Sequence, residues 1–412
     1  MNKPLEQTTP NAGITSFFNG ELSANPFPFF AQLRELGAVV PIPSPIGGNT
    51  RAWMVTRMEE AVRILKDHGH FTVDPQSVGA NDVLRRSLTD DAVVSKYSMV
   101  SVDEPDHRRL RGLVSQVFTP RYMESLRPRV QEIADELLDE VQGQGQMDIV
   151  ENFAFPLPIN VISEMLGVPK NDRSQVRIWS KAMAAGDMTG RSEEGVAASL
   201  ALSEYTRHLI TEKRKHPQND LISQLITIEE EGDRLSEPEL LSMITLLIFA
   251  GHETTANLIG MGTLMLLDHP DQLAKLKADL SLAPSAVEEI LRTNGPVMMP
   301  MPRFATEDLE LAGQQIKKGD VLIPALISAN RDEKQFTDPD ELNIARTIKR
   351  HVAFGQGIHI CLGAPLARLE GDIAFTTLLR RMPLLRLSVP RDAITWRIGG
   401  NLRALTALPV TF

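Results

Sequence analysis

The sequence predicts a mainly α-helical protein with a minor β-sheet region. Three observations carry this reading. From Asp106 to about Glu230, amphipathic helical patterns follow one another, each broken by proline, glycine or a polar turn. A strongly apolar segment from Leu240 to Leu267 suits a long buried helix. After Gly295 the periodicity gives way to short alternating runs around turn signals, as small strands require. No internal repeat or low-complexity linker divides the 412 residues, which predicts one domain over 1–412, with residues 1–25 loosely ordered.

"NPFPFFAQLRELG" starts a short helix, and "AVVPIP" and "RAWMVT" read as two strands around the Gly-rich turn "SPIGGN". "MEEAVRILKDH" is an amphipathic helix, and Phe71 to Met99 is a loop holding a short helix. In "SEPELLSM", Ser236 is the N-cap, Pro238 sits in the first turn and Glu239 stands at capping-box spacing, which opens the long apolar helix. "PDQLAKLKADL" and "APSAVEEILRTNG" are further helices, and "MPRFATEDLELAGQQIKKGDVLIPALIS" contains short strands. "NRDEKQFTDPDELNIARTIKRHVAFGQGIHI" is irregular, and a loop of that length is usually functional. "LGAPLARLEGDIAFTTLLRRM" returns to helix before a tail of small strands.

One cysteine excludes an intramolecular disulfide and any multi-cysteine zinc or iron–sulfur site. A net charge of -10 argues against general nucleic-acid binding. The first residues contain no apolar run of signal-peptide length. Leu240–Leu267 is long enough to cross a bilayer, but His252, Glu253, Thr254, Thr255 and Asn257 would then sit at its centre, where polar groups are costly. The expectation is a soluble, cytoplasmic monomer that binds neither membrane nor nucleic acid.

The single thiol, Cys361, lies in "HVAFGQGIHICLG", with glycines at 355, 357 and 363. A helix follows with Pro365 in its first turn, so free N–H groups and positive partial charge favour a thiolate. Core filling, a nucleophile paired with His359, and a metal ligand all remain open on these residues. "EEILR" places Glu289 and Arg292 on one helix face, which by spacing alone is a surface ion pair. "AGHETT", Ala250 to Thr255, interrupts the most apolar helix, with Leu246, Ala250 and Thr254 on one face. By itself it reads as a satisfied helix bend, and it lacks the second histidine of a zinc H-E-x-x-H site. "EPDHRRLRGLV" puts His107 and Arg111 on one face, otherwise a solvated basic surface.

"FGQGIHICLG", Phe354 to Gly363, resembles the haem-binding signature of the cytochrome P450 family, and "EEILR", "AGHETT" and "HRRLR" are similar to that family's other motifs. The resemblance runs from "NPFPFFAQLRELG" to the tail and is most like the soluble bacterial branch that hydroxylates polyketides and macrolides. It implies the P450 fold, with haem b between the long central helix and the helix after the cysteine loop. It implies that Cys361 is the axial iron ligand, that Phe354 packs beside it, and that Ala250, Gly251 and Gly363 border the haem. His107, Arg111, Arg303 and His359 would reach its propionates. Glu253 and Thr254 would relay protons to dioxygen. Glu289 and Arg292 would lock Arg346 of "DELNIAR", a structural role.

The same resemblance points to pocket segments: Phe71–Met99, Trp179–Arg191, Leu246 to Ala250, "PVMMPM" and "GGNL". Leu246, Ala250, Val297, Met298, Met183 and Asn401 are the pocket candidates, with Met299 at the haem edge, Met188 in the roof, and Arg85 and Arg86 as the available carboxylate clamps. The implied reaction inserts one oxygen atom of dioxygen into a C–H bond of a hydrophobic substrate of polyketide, macrolide, statin or steroid type. A fatty-acid or terpenoid hydroxylase, a peroxide-driven peroxygenase and a haem-binding sensor are the alternatives. Electrons would come from NAD(P)H through a separate ferredoxin or flavodoxin and its reductase, with Arg108, Arg109, Lys349 and Arg350 as a basic docking patch.

Overall fold

The computed structural model describes residues 24–44, 50–79, 97–184, 192–231, 234–348, 350–397 and 401–412. Nearly all of the 1–25 segment, and the candidates Arg85, Arg86, Met188 and Lys349, lie outside the described residues.

The chain starts with α1 (Phe27–Leu36), β1 (Val39–Ile42), β2 (Ala52–Val55), α2 (Met58–Lys66) and β3 (Phe71–Thr72). A helical stretch follows: α3 (Asp106–Ser115), α4 (Pro120–Ser125), α5 (Arg127–Gln142), the short β4 (Gln146–Asp148), α6 (Pro156–Leu166), α7 (Arg173–Ala184), α8 (Glu193–Lys215) and α9 (Leu221–Glu230). Then come α10 (Glu237–Ala250), α11 (Glu253–Asp268), α12 (Pro270–Ala278) and α13 (Ala283–Asn294). The last third holds β5 (Arg303–Ala305), β6 (Leu309–Leu311), β7 (Gln314–Ile316), β8 (Val321–Pro324), α14 (Leu326–Ala329), α15 (Ala364–Arg381), β9 (Arg386–Leu387) and β10 (Pro409–Thr411). This is the mainly helical architecture with small sheets that the periodicities predict.

The expected "AVVPIP"/"RAWMVT" hairpin forms, with Val39 opposite Val55. It extends through a parallel β2–β8 pair into a sheet of order β1-β2-β8-β5-β3. β4, β10 and β9 make a second sheet, and β6 and β7 a hairpin.

The long apolar helix expected over Leu240–Leu267 is instead two helices, α10 and α11, parted at Gly251 and His252. Side chains take two carbonyls of the preceding turn: the His252 ring Nδ1–H donates to Ile248 O (2.8 Å), and the Thr254 hydroxyl donates to Ala250 O (3.4 Å). A Cβ on Gly251 would lie 2.5 Å from Ile162 Cγ1, so the break packs directly on α6. Helix α11 is buried almost all round, through Leu258, Ile259, Met261 and Leu264. No helix among the described residues is long and apolar enough to cross a membrane.

Glu289 and Arg292 are not the surface pair that spacing alone suggests, because both are fully buried. Arg292 also binds the carbonyls of Asn330, Pro339 and Glu341. Arg346 Nε joins Glu289 at 3.0 Å, so the pair anchors the irregular 330–346 stretch.

The cysteine loop rests on the end of α2. Gly357 has φ +76°, and a Cβ there would collide with the Leu65 carbonyl and lie 2.9 Å from Lys66 Cα. Gly357→Ala is expected to incur backbone strain and overpacking, each about 1–3 kcal/mol. A lower urea midpoint would show it; an unchanged midpoint would refute this account of the loop.

Candidate active site

A largely apolar cavity opens at the break between α10 and α11 and reaches the cysteine loop opposite. Cys361 stands at its floor. The loop is shaped by backbone bonds: Cys361 N–H donates to Phe354 O (2.9 Å), Gly355 N–H to Val352 O (2.8 Å) and Ile360 N–H to Gly357 O (3.2 Å). The sulfur is open to the cavity but walled by protein on its other sides, and this burial pushes the thiol pKa up. The N–H groups of Gly363 and Ala364 at the start of α15 oppose that shift, as do the charges of Arg111 and Arg368. Burial wins, so the uncoordinated sulfur is a thiol, and the positive charge of a metal ion is what would hold it as thiolate. His359 is not its base, since His359 Nε2 bonds Asp103 Oδ1 at 3.0 Å. A Cβ on Gly363 would meet no protein atom, so the backbone beside the sulfur is open to the cavity.

Four cationic or potentially cationic side chains gather at one edge of this cavity: His107, Arg111, Arg303 and His359. The His107 and His359 rings lie 4.3 Å apart. Both nitrogens of the buried His107 lack any partner, and its pKa is pushed down to about 4, first by burial and then by His359 and Arg111. Burial lowers Arg303 to about 10, and its Nη1 finds only the Met301 and Pro302 carbonyls, at 2.8 and 3.4 Å. Burial also lowers Arg111. Among the described residues no carboxylate forms an ion pair with Arg111 or Arg303. Buried cations and orphaned donors at this density call for an anionic ligand. A flat dianion with an iron centre over Cys361 would satisfy them, and haem with its two propionates has that shape and charge.

On the opposite wall, Leu246, Ala250, Gly251, Thr254 and Thr255 line the cavity. Glu253 does not line it. Its side chain is 1% exposed, Oε1 is held by Arg397 Nη2 at 2.5 Å, and Oε2 has no partner. The sequence did not single out Arg397, which is 144 positions away. Nor did it single out Glu370 on α15. That carboxyl is fully buried beside the Thr255 side chain, with neither oxygen in a well-formed hydrogen bond, and burial raises its pKa well above the carboxylate range. A lone glutamate on an apolar helix face was the available signal.

The pocket candidates divide. Leu246, Ala250 and Val297 line the cavity. Met298 and Met299 do not: they pack with Phe29, Phe30, Met54 and Phe304 in the core beside the large sheet. Asn401 is a structural tie rather than a lining residue, with Nδ2 donating to Met299 O (3.1 Å) and its carbonyl accepting Met298 N–H (2.9 Å). Met183 is half-buried against the main helical core. Met99 and Met301, from the expected Phe71–Met99 and "PVMMPM" segments, line the cavity, as do Val100 and Phe118. The basic patch is reduced too. Arg109 is occupied by Asp106 and by Glu239 on α10, and the exposed Arg108 pairs with Glu104.

Comparison with known proteins points to the same chemistry. The family model for cytochrome P450 matches residues 159–394. The polyketide biosynthesis cytochrome P450 PksS of Bacillus subtilis (strain 168) is 44% identical over 393 residues, spanning 95% of this chain and 96% of that protein. Cytochrome P450 monooxygenase PikC of Streptomyces venezuelae is 42% identical over 415 residues, spanning 100% and 97%. The crystal structure of myxobacterial cytochrome P450 CYP267B1 in complex with myristic acid is similar at a TM-score of 0.89 and 40% identity, covering 96% of this chain and 98% of that one. With a lone cysteine under a broken central helix, and with relatives matching along nearly its whole length, the chain belongs to the cytochrome P450 family of monooxygenases.

Proposed function

We propose that the protein hydroxylates a bulky, neutral hydrophobic substrate of polyketide or macrolide type, using dioxygen and electrons from NAD(P)H delivered by a separate ferredoxin or flavodoxin. The observation that carries the substrate class is the cavity lining. Met99, Val100, Phe118, Leu246, Leu247 and Val297 are apolar, and the only basic side chains among the described lining residues, His107, Arg111, Arg303 and His359, gather at the edge that haem carboxylates would occupy. The name of PksS, a polyketide biosynthesis P450, supports the same class.

Cys361 would ligate the iron, His107, Arg111, Arg303 and His359 would hold the propionates, and haem bound there would supply dioxygen activation and C–H oxidation. The chain's own residues manage protons and water. The Thr254 hydroxyl faces the cavity, and its 3.4 Å bond to Ala250 O is long enough to exchange for a partner inside. Glu253 would serve Thr254 by turning away from Arg397. Glu370 lies behind Thr255 on the same wall, and burial, which raises its pKa, favours the protonated form that a second acid would need.

Reconstitution with a ferredoxin, its reductase, NADPH and isotopically labelled dioxygen tests the reading. One labelled oxygen atom should enter a macrolactone or other neutral polyketide that also shifts the haem spin state. Turnover confined to fatty acids would replace the substrate class, and turnover confined to peroxide would replace the monooxygenase assignment with a peroxygenase. Thr254→Ala should lower product formation toward the low end of the about 10²–10⁴-fold range of positioned proton transfer, with reductant diverted to peroxide. Thr254→Ser should retain coupling; equal coupling in all three proteins would remove Thr254 from the relay.

A further inference from the structure

Beneath the cysteine loop lies a charged cluster that the reaction does not use. Glu288 on α13 binds Arg368 of α15 in bidentate fashion, Oε1 to Nε at 2.6 Å and Oε2 to Nη2 at 3.0 Å. Its Oε2 also meets His351 Nε2 at 2.9 Å. His351 Nδ1 accepts the Ala353 N–H (3.1 Å), which leaves Nε2 as the protonated nitrogen donating to Glu288. The Arg368 guanidinium carbon stands 4.6 Å over the Phe354 ring, whose centroid is 6.1 Å from that of His351. The Phe354 carbonyl in turn accepts the Cys361 N–H at 2.9 Å. One carboxylate thus joins two helices and the loop at a single residue whose backbone holds the cysteine.

We propose that Glu288, Arg368 and His351 act as a positioning clamp that sets the reduction potential of the thiolate-ligated haem, through the charge presented beneath Cys361 and the seating of Phe354. This rests on the reading of Cys361 as the iron ligand. With the Arg368 side chain 44% exposed, the pair contributes little to stability, as exposed ion pairs do. Its consequence lies in placement. Arg368 stands over Phe354 with its charge acting on Cys361, and Glu288 is its counter-charge. Bonds from His351 and Arg368 outweigh burial and hold the Glu288 carboxyl at about 2, so the counter-charge persists at every physiological pH. Reduction adds one negative charge at the iron, so an uncompensated cation below the sulfur favours the reduced state and its removal disfavours it.

The test is potentiometric titration of the holoenzyme, with the ferrous–carbon monoxide spectrum recorded for each protein. Glu288→Gln should raise the potential and Arg368→Gln should lower it, each changing the ferrous-to-ferric ratio at fixed potential by at least about threefold, where tenfold is about 59 mV for a one-electron couple. Arg368→Lys keeps the charge and should stay near wild type. Shifts of the same sign in both Gln variants, or none, with the thiolate-type band intact, would overturn the clamp. If Glu288→Gln does not retain haem, the Arg368→Gln and Arg368→Lys pair decides: a wild-type potential in Arg368→Gln overturns it. Wild-type protein without a thiolate-type band would overturn the haem–thiolate reading itself, and the clamp with it.

Discussion

Arg292→Leu is expected to destabilise the fold by about 3–5 kcal/mol, the usual cost of leaving one partner of a buried ion pair alone. The guanidinium uses its whole donor fork. Nε and Nη2 bind the two Glu289 oxygens at 2.7 and 2.8 Å, Nη1 binds the Asn330 and Pro339 carbonyls at 3.0 and 2.8 Å, and Nη2 reaches the Glu341 carbonyl at 3.2 Å. Removing it takes the donor from the buried Glu289 Oε2, leaves Oε1 to Arg346 Nε and the Asn343 N–H, and strands three carbonyls of the 330–346 stretch. Arg292→Lys preserves the charge but has three donors for five bonds, and each acceptor left dry costs about 1–3 kcal/mol. Both variants should show a lower urea midpoint and poor haem retention, because that stretch leads directly into the cysteine loop. Wild-type stability in Arg292→Leu would mean the network is solvated and the burial argument is wrong.

The residues that could be read from the sequence share a property: their chemistry is local. Phe354, His359 and Cys361 stand in one short run, and glycines 355 and 357, with φ of +69° and +76°, shape the turn that the run needs. Periodicity found the helices because burial is decided every third or fourth residue. It could not show that α10 and α11 are separate, since the break comes from side chains taking backbone carbonyls, which leaves the apolar stripe unchanged. The resemblance placed Met298 and Met299 at the cavity, but the facing of a short segment depends on a tie to Asn401 about a hundred positions later. Spacing alone read Glu289 and Arg292 as exposed because i, i+3 spacing is the same on either side of a helix. Arg397 on Glu253, Arg368 on Glu288 and the solitary Glu370 are long-range placements with no local pattern. Arg109 shows the same limit from the other side: a cation in a basic run proved to be spoken for by a carboxylate on α10.

Cys361→Ser should abolish the thiolate-type red shift of the Soret band in the reduced, carbon monoxide-treated protein and bring product formation to background, while leaving the fold intact. The side chain faces the cavity, and its recorded polar neighbours are the N–H groups of Gly363 and Ala364, which a hydroxyl can also meet, so the stability change should stay within about 0.5 kcal/mol. Haem should still be retained in part, because His107, Arg111, Arg303 and His359 act on its carboxylates from elements other than the Cys361 backbone. Arg303→Leu supplies the complementary result: a normal thiolate-type band with weaker haem retention. The two variants separate ligation from anchoring. A Cys361→Ser protein with an unchanged spectrum would assign the iron to another residue. A Cys361→Ser protein that unfolds would make the cysteine a core residue, the reading that its placement at the cavity floor opposes.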